Sequence, residues 1–387
     1  MAFDKDGIEE ILERVAQKLD ISDKLFQAAC EEYDLLWKWI DRRIKEEEKD
    51  YEVEIYHQGS FALETVIKPI TDEDDYDLDI LCEMKEDYGF DAHFLKCDVV
   101  KGWLENYREI RKIEEKRRGW HIEYKQMPHF HMDVIPSVNG TGENTPIRIT
   151  DRDKQSNAYR YILSNPYGYR CWFQEKCKAQ GERIGTIRKS SVILEEIDVE
   201  PLKYQRIFVP LRRSVQLLKR HRDIMFENRQ DKDDKPVSII ITTLVGECCS
   251  NCNSIFETLT CFSERAYKFL EDNKQNGSYY VRNPRYSGEN FADKWNEKTT
   301  KVQAFYSWLK QVREDFNEET LESMNRPEIF KTIKRLFGEN IGTIVINEMS
   351  DIENEKIKNG EHRVDTNTGM LSEQGSIRVP TNHHYHE

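Results

Sequence analysis

Residues 59–80 read GSFALETVIKPITDEDDYDLDI, a Gly-Ser turn followed by an acidic loop and an alternating stretch. At its end, Asp77 and Asp79 alternate with Leu78 and Ile80. On a strand, this alternation places both carboxylates on one face and both apolar side chains on the other. Neighbouring carboxylates repel each other unless a cation lies between them, and a divalent metal is the usual cation. The stretch therefore predicts a metal-binding strand that follows a glycine turn.

A third acid, Asp133, lies in the strand-like stretch HFHMDVIPS. If this strand lies beside the first, Asp133 joins Asp77 and Asp79 at one edge of a small sheet. Such a cluster supplies the hard oxygen ligands that two magnesium ions need. Two ions can activate an attacking hydroxyl and stabilise a leaving pyrophosphate. His131 shares the face of Asp133 and is expected to line the site without being a ligand.

The Gly-Ser turn complements the acids. Gly59 permits a close approach of the backbone, and the Ser60 hydroxyl with nearby N–H groups can hold phosphate oxygens. A lone Asp-x-Asp pair or a lone Gly-Ser pair is weak evidence, because both are common on surfaces. Their order along the chain is more specific, since one catalytic centre needs the turn, the acidic pair and the later strand acid together.

Composition narrows the classes of function. The chain has 387 residues, 38% of them hydrophobic and 34% charged, and a net charge of −14. This acidity argues against binding to long nucleic acid or to an anionic membrane. The sequence has no apolar run of membrane-spanning length and begins with an acidic segment, so we expect a cytoplasmic protein with no membrane partner. Nine cysteines indicate reduced thiols; Cys248, Cys249 and Cys252 raise a zinc alternative, although no histidine flanks them at ligand spacing.

The order of patterns predicts an α+β protein with three parts. Residues 1–155 are expected to form two helices, with Ser22 as the N-cap of the second, and then a sheet-containing core. A charged helix is predicted over about residues 92–117. Residues 156–350 are expected to be mostly helical, and residues 351–387 to form a mobile tail.

Positive charge for a phosphate ligand is expected from a helix that begins near Pro210. On this helix, Arg212, Gln216, Lys219 and Asp223 form one polar face. Ser238 opens the apolar stretch SIIITTL, whose periodicity is compatible with a buried helix or a buried strand.

These motifs together resemble the nucleotidyltransferase superfold of DNA polymerase beta. They resemble more closely the bacterial CD-NTases, relatives of cyclic GMP-AMP synthase and oligoadenylate synthetase. The likeness covers about residues 50–310. The stretches that carry it are HQGSFALETVIKP, FHMDVIPS, SNPYGYRCWF, PLRRSVQLLKRHRD, KPVSIIITTL and NPRYSGENFADKW.

The resemblance implies a polymerase-beta-like core, a small mixed sheet flanked by helices, and a mostly helical second lobe across a central cleft. It implies a synthase that joins nucleoside triphosphates into a cyclic di- or trinucleotide second messenger of anti-phage CBASS signalling. Mg²⁺ would be the cofactor, with Mn²⁺ as a substitute. ATP, alone or with GTP or other nucleoside triphosphates, would be the substrate. The family also suggests a HORMA-type protein or conjugation machinery as regulators, and an effector that responds to the product.

The implied site residues follow position by position. Asp77, Asp79 and Asp133 would be catalytic and would hold the metal ions. Gly59, Ser60, Lys219 and Ser238 would bind the nucleotide, with Lys219 on the phosphates.

Two alternatives remain open. The chain could transfer a nucleotide to another acceptor, such as RNA, protein or a small molecule. It could also be a silent nucleotide-sensing pseudoenzyme, because Glu64 stands where the family usually has Gly and an added carboxylate would repel a triphosphate. None of the three metal acids is lost, which favours an active enzyme.

Overall fold

The structure is a computed structural model, and it describes residues 4–70, 76–127, 130–139, 146–153, 155–188 and 209–359, with the pairs 363–364, 371–372 and 377–378. The acidic loop at 72–75 and His129 lie outside the described residues. So does most of the predicted tail.

One mixed sheet forms the first lobe. Within the described residues its seven strands are β1 (Val53–His57), β2 (Tyr76–Met84), β3 (Ile110–Glu115), β4 (Trp120–Tyr124), β5 (Phe130–Val138), β6 (Ile147–Arg152) and β7 (Tyr159–Ser164). The main path runs β1-β2-β5-β4-β3, and β6 pairs with the end of β5 and with β7. β2 and β5 are parallel, whereas the other pairs are antiparallel. The alternating stretches thus form strands as predicted.

Helices cover the apolar face of this sheet. They are α2 (Asp23–Glu46), α3 (Gly59–Ala62), a π-helix (Phe94–Val100) and α4 (Lys101–Glu105); α1 (Lys5–Leu19) precedes them in the chain. Ser22 caps α2 as predicted, since its side chain accepts a hydrogen bond from the Leu25 N–H. The core between α2 and the sheet contains Leu36 and Ile40 with Leu78 and Met132, all buried.

The predicted charged helix over residues 92–117 is wrong in its second half. The helical part ends at Glu105, and Ile110–Glu115 is strand β3. This strand lies at the sheet edge and pairs only with β4 among the described strands. Charged residues blunt an exposed edge strand, and Arg111, Lys112 and Glu114 therefore make the stretch look like a solvated helix.

The second lobe is mostly helical. Its elements are α5 (Pro166–Arg188), α6 (Pro210–Phe226), a 3₁₀ turn (Lys232–Asp234), α7 (Ser238–Cys248), α8 (Ile255–Asp272), β8 (Arg282–Asn283), β9 (Tyr286–Asn290), α9 (Asp293–Glu297), α10 (Thr299–Asp315), α11 (Glu318–Ser323), α12 (Arg326–Phe337) and α13 (Glu339–Lys358). The apolar stretch at 238–248 is therefore a buried helix rather than a strand. α6 and α7 lie at the centre of this core, where Leu218 and Ile241 are fully buried.

α1 and α13 contact each other in the helical lobe. The buried face of α1, which includes Ile11 and Val15, belongs to the core of α6 and α8 rather than to the sheet. α13 continues across residue 350 to Lys358, and beyond it the described residues are the two-residue strands β10 (Arg363–Val364), β11 (Leu371–Ser372) and β12 (Ile377–Arg378). No helix in the described ranges is long and apolar enough to span a bilayer.

Candidate active site

The central strands carry three carboxylates on one face of the sheet. β2 and β5 pair in register, with Asp79 opposite Asp133 and Asp77 opposite His131. Leu78, between the two acids of β2, is fully buried on the opposite face. The alternation read from the sequence therefore places the three acids side by side.

The electrostatics of this cluster favour a bound cation. Burial raises the pKa of Asp79 well above its usual value, and the charges of Asp77 and Asp133 raise it further, while Lys219 opposes the shift. A cluster that ionises with difficulty lacks positive charge, and a divalent ion supplies it. Carboxylate oxygens are the hard ligands that Mg²⁺ and Mn²⁺ prefer. The donor set therefore fits the metal that the sequence predicts.

A histidine pair flanks Asp133. His121 lies opposite Asp133 on β4, and its Nδ1 is 2.8 Å from Asp133 Oδ1. The rings of His121 and His131 have centroids 4.2 Å apart. One ligand atom from each of these three residues lies within 4.8 Å of the others, a spacing that could hold a metal ion. His121 is not evident as a site residue from the sequence, because only the pairing of β4 with β5 brings it to Asp133.

The Gly-Ser turn lies against the same carboxylates. Gly59 has φ +64°, a left-handed conformation that favours glycine. A Cβ atom at this position would overlap Asp79 Oδ2 and lie 3.0 Å from Asp79 Cγ. The Gln58 N–H donates a hydrogen bond to the Asp79 carbonyl oxygen at 2.8 Å. The turn therefore needs glycine for its conformation and for its close approach to the acid.

A cavity of about 490 Å³ opens beside the turn and is named here the larger cavity. Six of the seven predicted site residues line it, and Asp133 lies on the neighbouring strand. These six are Gly59, Ser60, Asp77, Asp79, Lys219 and Ser238.

Cations gather at one end of the larger cavity. Lys219 is buried, its Nζ donates to the Thr65 carbonyl oxygen at 2.8 Å, and burial, with the nearby Arg222 charge, lowers its pKa to about 8. Arg222 donates to Ser238 Oγ at 2.9 Å. Lys235 also lines the cavity and donates to Asp223 Oδ1 at 3.1 Å. Arg222 and Lys235 were not predicted to lie at the nucleotide site, although Lys235 is the first residue of KPVSIIITTL, one of the stretches that resemble the family.

The polar face of α6 is buried against the segment that follows the Gly-Ser turn. Gln216 Nε2 donates to the Val66 carbonyl oxygen at 3.0 Å, close to the Lys219 contact with Thr65. Arg220 donates to the carbonyl oxygens of Lys68 and Pro69. α6 therefore fixes the backbone that forms one wall of the larger cavity.

Glu64 points away from the larger cavity. It has φ +55°, and its carboxylate forms an ion pair with Arg212 Nη1 at 2.7 Å. Arg212 is buried on α6, and Glu64 is absent from the described residues that line the cavity. The Glu64 carboxylate therefore forms an ion pair between the turn and α6 and is not part of the described wall of the larger cavity.

A second cavity, of about 290 Å³, is named here the smaller cavity. Its wall includes polar and charged side chains, namely Arg118, Ser164, Tyr167, Arg170, Asn283 and Glu289. The two cavities share Gly59, Leu63, Asp79 and Ile239. Two cavities therefore meet at Asp79.

The nine cysteines are free, as the sequence predicts. Cys249 and Cys252 are buried, and a hydrogen bond from the Cys249 thiol lowers the pKa of Cys252 to about 7. Arg265 donates to Cys252 Sγ at 3.6 Å. Among the described residues, the three side chains whose ligand atoms all lie within 4.8 Å of one another are His121, His131 and Asp133, and this group contains no cysteine.

Comparison with known proteins gives concordant results. Residues 10–177 match the Second Messenger Oligonucleotide or Dinucleotide Synthetase domain. A c-di-GMP synthase of Roseivirga ehrenbergii is 27% identical over 323 residues, which is 81% of this chain and 80% of that protein. The cyclic dinucleotide synthase CdnG of Bradyrhizobium diazoefficiens is 21% identical over 379 residues, 95% of this chain and 89% of that protein.

Solved structures share the fold. The structure of the CD-NTase CdnG of B. diazoefficiens in complex with GTP matches with a TM-score of 0.69 at 20% identity, covering 89% of this chain and 99% of that one. Escherichia coli CdnC, in a complex with a HORMA protein, matches with a TM-score of 0.59 at 11% identity, covering 85% and 96%. The two-lobed α+β architecture predicted from the sequence is thus confirmed.

Proposed function

The chain belongs to the bacterial CD-NTase family, and from this premise we propose that it is a magnesium-dependent nucleotidyltransferase that makes a cyclic dinucleotide. Two nucleoside triphosphates bind in the cleft between the lobes. The ribose hydroxyl of one attacks the α-phosphate of the other, and pyrophosphate leaves. A second attack within the linear intermediate closes the ring.

The observation that carries the proposal is the junction of the two cavities at Asp79. A transferase that joins two nucleotides must hold both with their reacting atoms at one point. The larger cavity, with Ser60, Lys219 and Ser238, suits the triphosphate that is attacked. The smaller cavity suits the nucleotide that supplies the hydroxyl.

The chain's own residues position the attacked triphosphate. The Ser60 hydroxyl and the N–H groups at the start of α3 can donate to phosphate oxygens. Lys219 is a charged donor in a dry wall, where its attraction for phosphate is stronger than in water. Arg222 holds the Ser238 hydroxyl at 2.9 Å and so fixes its position.

Asp77, Asp79 and Asp133 would hold the metal ions. When bound, Mg²⁺ neutralises triphosphate charge and lowers the pKa of the attacking hydroxyl. His121 restrains the Asp133 carboxylate through the 2.8 Å contact. The rigid pairing of β2 with β5 keeps the acids in place between turnovers.

The relatives of this chain favour guanine nucleotides as substrates. One is a c-di-GMP synthase and the other a cyclic dinucleotide synthase, and the CdnG structure contains GTP. We therefore propose GTP as a substrate, with ATP as the second candidate. A role in anti-phage signalling, through an effector that responds to the product, is proposed from family membership.

The alternatives lose support. Transfer to a long nucleic acid would need an extended basic surface, which a chain of net charge −14 is not expected to offer. The pseudoenzyme hypothesis depends on Glu64, whose carboxylate is paired with Arg212. We propose a HORMA-type protein as the first regulator to test, because CdnC forms a complex with one.

The proposal is tested with purified protein, Mg²⁺ or Mn²⁺, and radiolabelled ATP, GTP, CTP and UTP, singly and mixed. We expect a phosphatase-resistant product that carries label from GTP and is missing with the Asp77→Asn/Asp79→Asn variant. Label in a product that phosphatase degrades, or in an added acceptor, would contradict cyclisation. Activity that appears only with a HORMA-type protein would identify a regulated enzyme.

A further inference from the structure

Arg170 is a buried cation in the wall of the smaller cavity. It lies near the start of α5 and is only 8% exposed. The helix start is fixed locally, because Asn165 Oδ1 accepts a hydrogen bond from the Gly168 N–H at 2.8 Å. The backbone that carries Arg170 is therefore held rigidly at the cavity.

The guanidinium group has no acceptor within hydrogen-bond or ion-pair distance in the part of the chain that the structure describes. Other buried cations of the cleft do have partners: Arg212 pairs with Glu64, and Arg213 pairs with Asp20 at 2.8 Å. Glu64 attracts Arg170 only from a distance, and burial lowers the pKa of Arg170. A buried charge without a partner is costly, so fold stability does not explain Arg170.

The smaller cavity offers two cations at different depths. Arg118, on the turn between β3 and β4, is half-buried, whereas Arg170 lies deeper. Aromatic and aliphatic side chains, such as Phe291 and Ile239, line the space between the walls. A flat base fits among apolar side chains, whereas a hydrated triphosphate is better placed near the rim, beside Arg118.

The carboxylate of Glu289 is already engaged. It accepts hydrogen bonds from the Ser164 hydroxyl at 2.7 Å and from Asn283 Nδ2 at 2.8 Å. It therefore ties β9 to the end of β7 and shapes the wall. In the deeper part of the smaller cavity, Arg170 is therefore the charged donor that can form hydrogen bonds to a ligand.

We propose that Arg170 selects guanine in the smaller cavity by donating to O6 and N7 of the base, an inference that rests on the proposed function. Guanine presents these two acceptors side by side, and arginine meets them with two parallel N–H groups. Adenine places an amino donor where guanine has O6, so its N–H would oppose the guanidinium. Arg170 thus makes the nucleotide that supplies the hydroxyl a guanine nucleotide.

The test compares GTP, inosine triphosphate and 7-deaza-GTP as substrates of the wild-type protein, Arg170→Gln and the matched control Arg118→Gln. Inosine keeps O6 and N7, whereas 7-deaza-GTP lacks N7. We expect the wild-type protein to use inosine triphosphate like GTP and to lose activity with 7-deaza-GTP. Arg170→Gln should lower kcat/KM for GTP by about ten- to hundredfold and remove most of the discrimination against 7-deaza-GTP. Discrimination against 7-deaza-GTP that arises in the larger cavity is the same in the wild-type protein and in Arg170→Gln. It therefore cancels when the ratio of kcat/KM for GTP to kcat/KM for 7-deaza-GTP is compared between the two proteins.

Arg118→Gln should weaken all three substrates equally. If Arg170→Gln also weakens them equally, Arg170 binds a phosphate and the inference is wrong. If Arg170→Gln only lowers the thermal midpoint, the residue is structural and the inference is again wrong.

Equilibrium binding of GTP and 7-deaza-GTP to the Asp77→Asn variant, with Arg170 intact or replaced by Gln, needs no turnover. It tests the base contact even if no cyclic product forms, so failure of the proposed function stays distinguishable.

Discussion

Replacing Gly59 with alanine tests how closely the turn and the metal acids fit together. A left-handed conformation costs a non-glycine residue about 1–2 kcal/mol, and Gly59 has φ +64°. The added Cβ would also overlap Asp79 Oδ2, so either the turn or the carboxylate must move. A misplacement of about 1 Å at a reacting centre can cost about 100-fold in rate, or roughly 2.7 kcal/mol of transition-state stabilisation.

Gly89→Ala is the matched control. Gly89 has φ +72°, and a Cβ built on it meets no atom within 4 Å. By chemical denaturation, Gly89→Ala should lose about 1–2 kcal/mol of unfolding free energy, and Gly59→Ala should lose at least as much, because its Cβ also overlaps Asp79 Oδ2. Only Gly59→Ala should lose about 100-fold in product formation, measured as initial pyrophosphate release. Equal activity losses in the two variants would refute the argument that the contact with Asp79 matters.

Three further outcomes follow from the charges near the cleft. Glu64→Gly removes the carboxylate of a buried ion pair with Arg212, but it also relieves the left-handed conformation of residue 64, φ +55°. The unfolding free energy should fall by about 1–3 kcal/mol, because the lost pair outweighs the relieved strain, and activity should not rise. A gain in product formation would contradict this. The pKa of Lys219 in the folded protein is about 8, so at pH 7 its buried charge destabilises the fold, and Lys219→Met should raise the thermal midpoint of the nucleotide-free protein. This gain should shrink above pH 8, where folded Lys219 loses its proton, and vanish above about pH 10.5, where Lys219 of the unfolded chain is also neutral. Burial lowers the pKa of His57 to about 4, so between pH 6.5 and pH 4 only the unfolded chain binds a proton at His57, and the folded state loses stability. His57→Gln should lessen this loss. Parallel profiles of unfolding free energy against pH for wild type and variant would contradict the prediction.

The strand that carries Asp77 and Asp79 is predicted correctly from the sequence, because its alternating pattern is local. A two-residue period in Asp77-Leu78-Asp79-Ile80 fixes which side chains share a face, whatever the rest of the fold does. Asp133 is found by the same period in a second strand. Their pairing was an assumption that the register of β2 and β5 now supports.

The parts that were missed depend on distant contacts. The charges of β3 look like those of a solvated helix until β4 pairs with it along one edge. The polar face of α6 is buried, because its hydrogen bonds go to the carbonyl oxygens of residues 65, 66, 68 and 69, which lie about 150 positions earlier. His121 and Arg170 reach the site only through sheet pairing and lobe packing, which no local period reveals.

The position of α1 has a consequence for synthesis on the ribosome. Its apolar stripe, Ile8 to Leu19, is completed by α6, α8 and α13, and α13 ends at Lys358. At about 5–20 residues per second, this first helix emerges some tens of seconds before its last partner. Until α13 is synthesised, the nascent chain exposes the part of the stripe that α13 covers, and a chaperone can shield that apolar surface. Premature termination anywhere before α13 would leave the same stripe open to quality-control proteases.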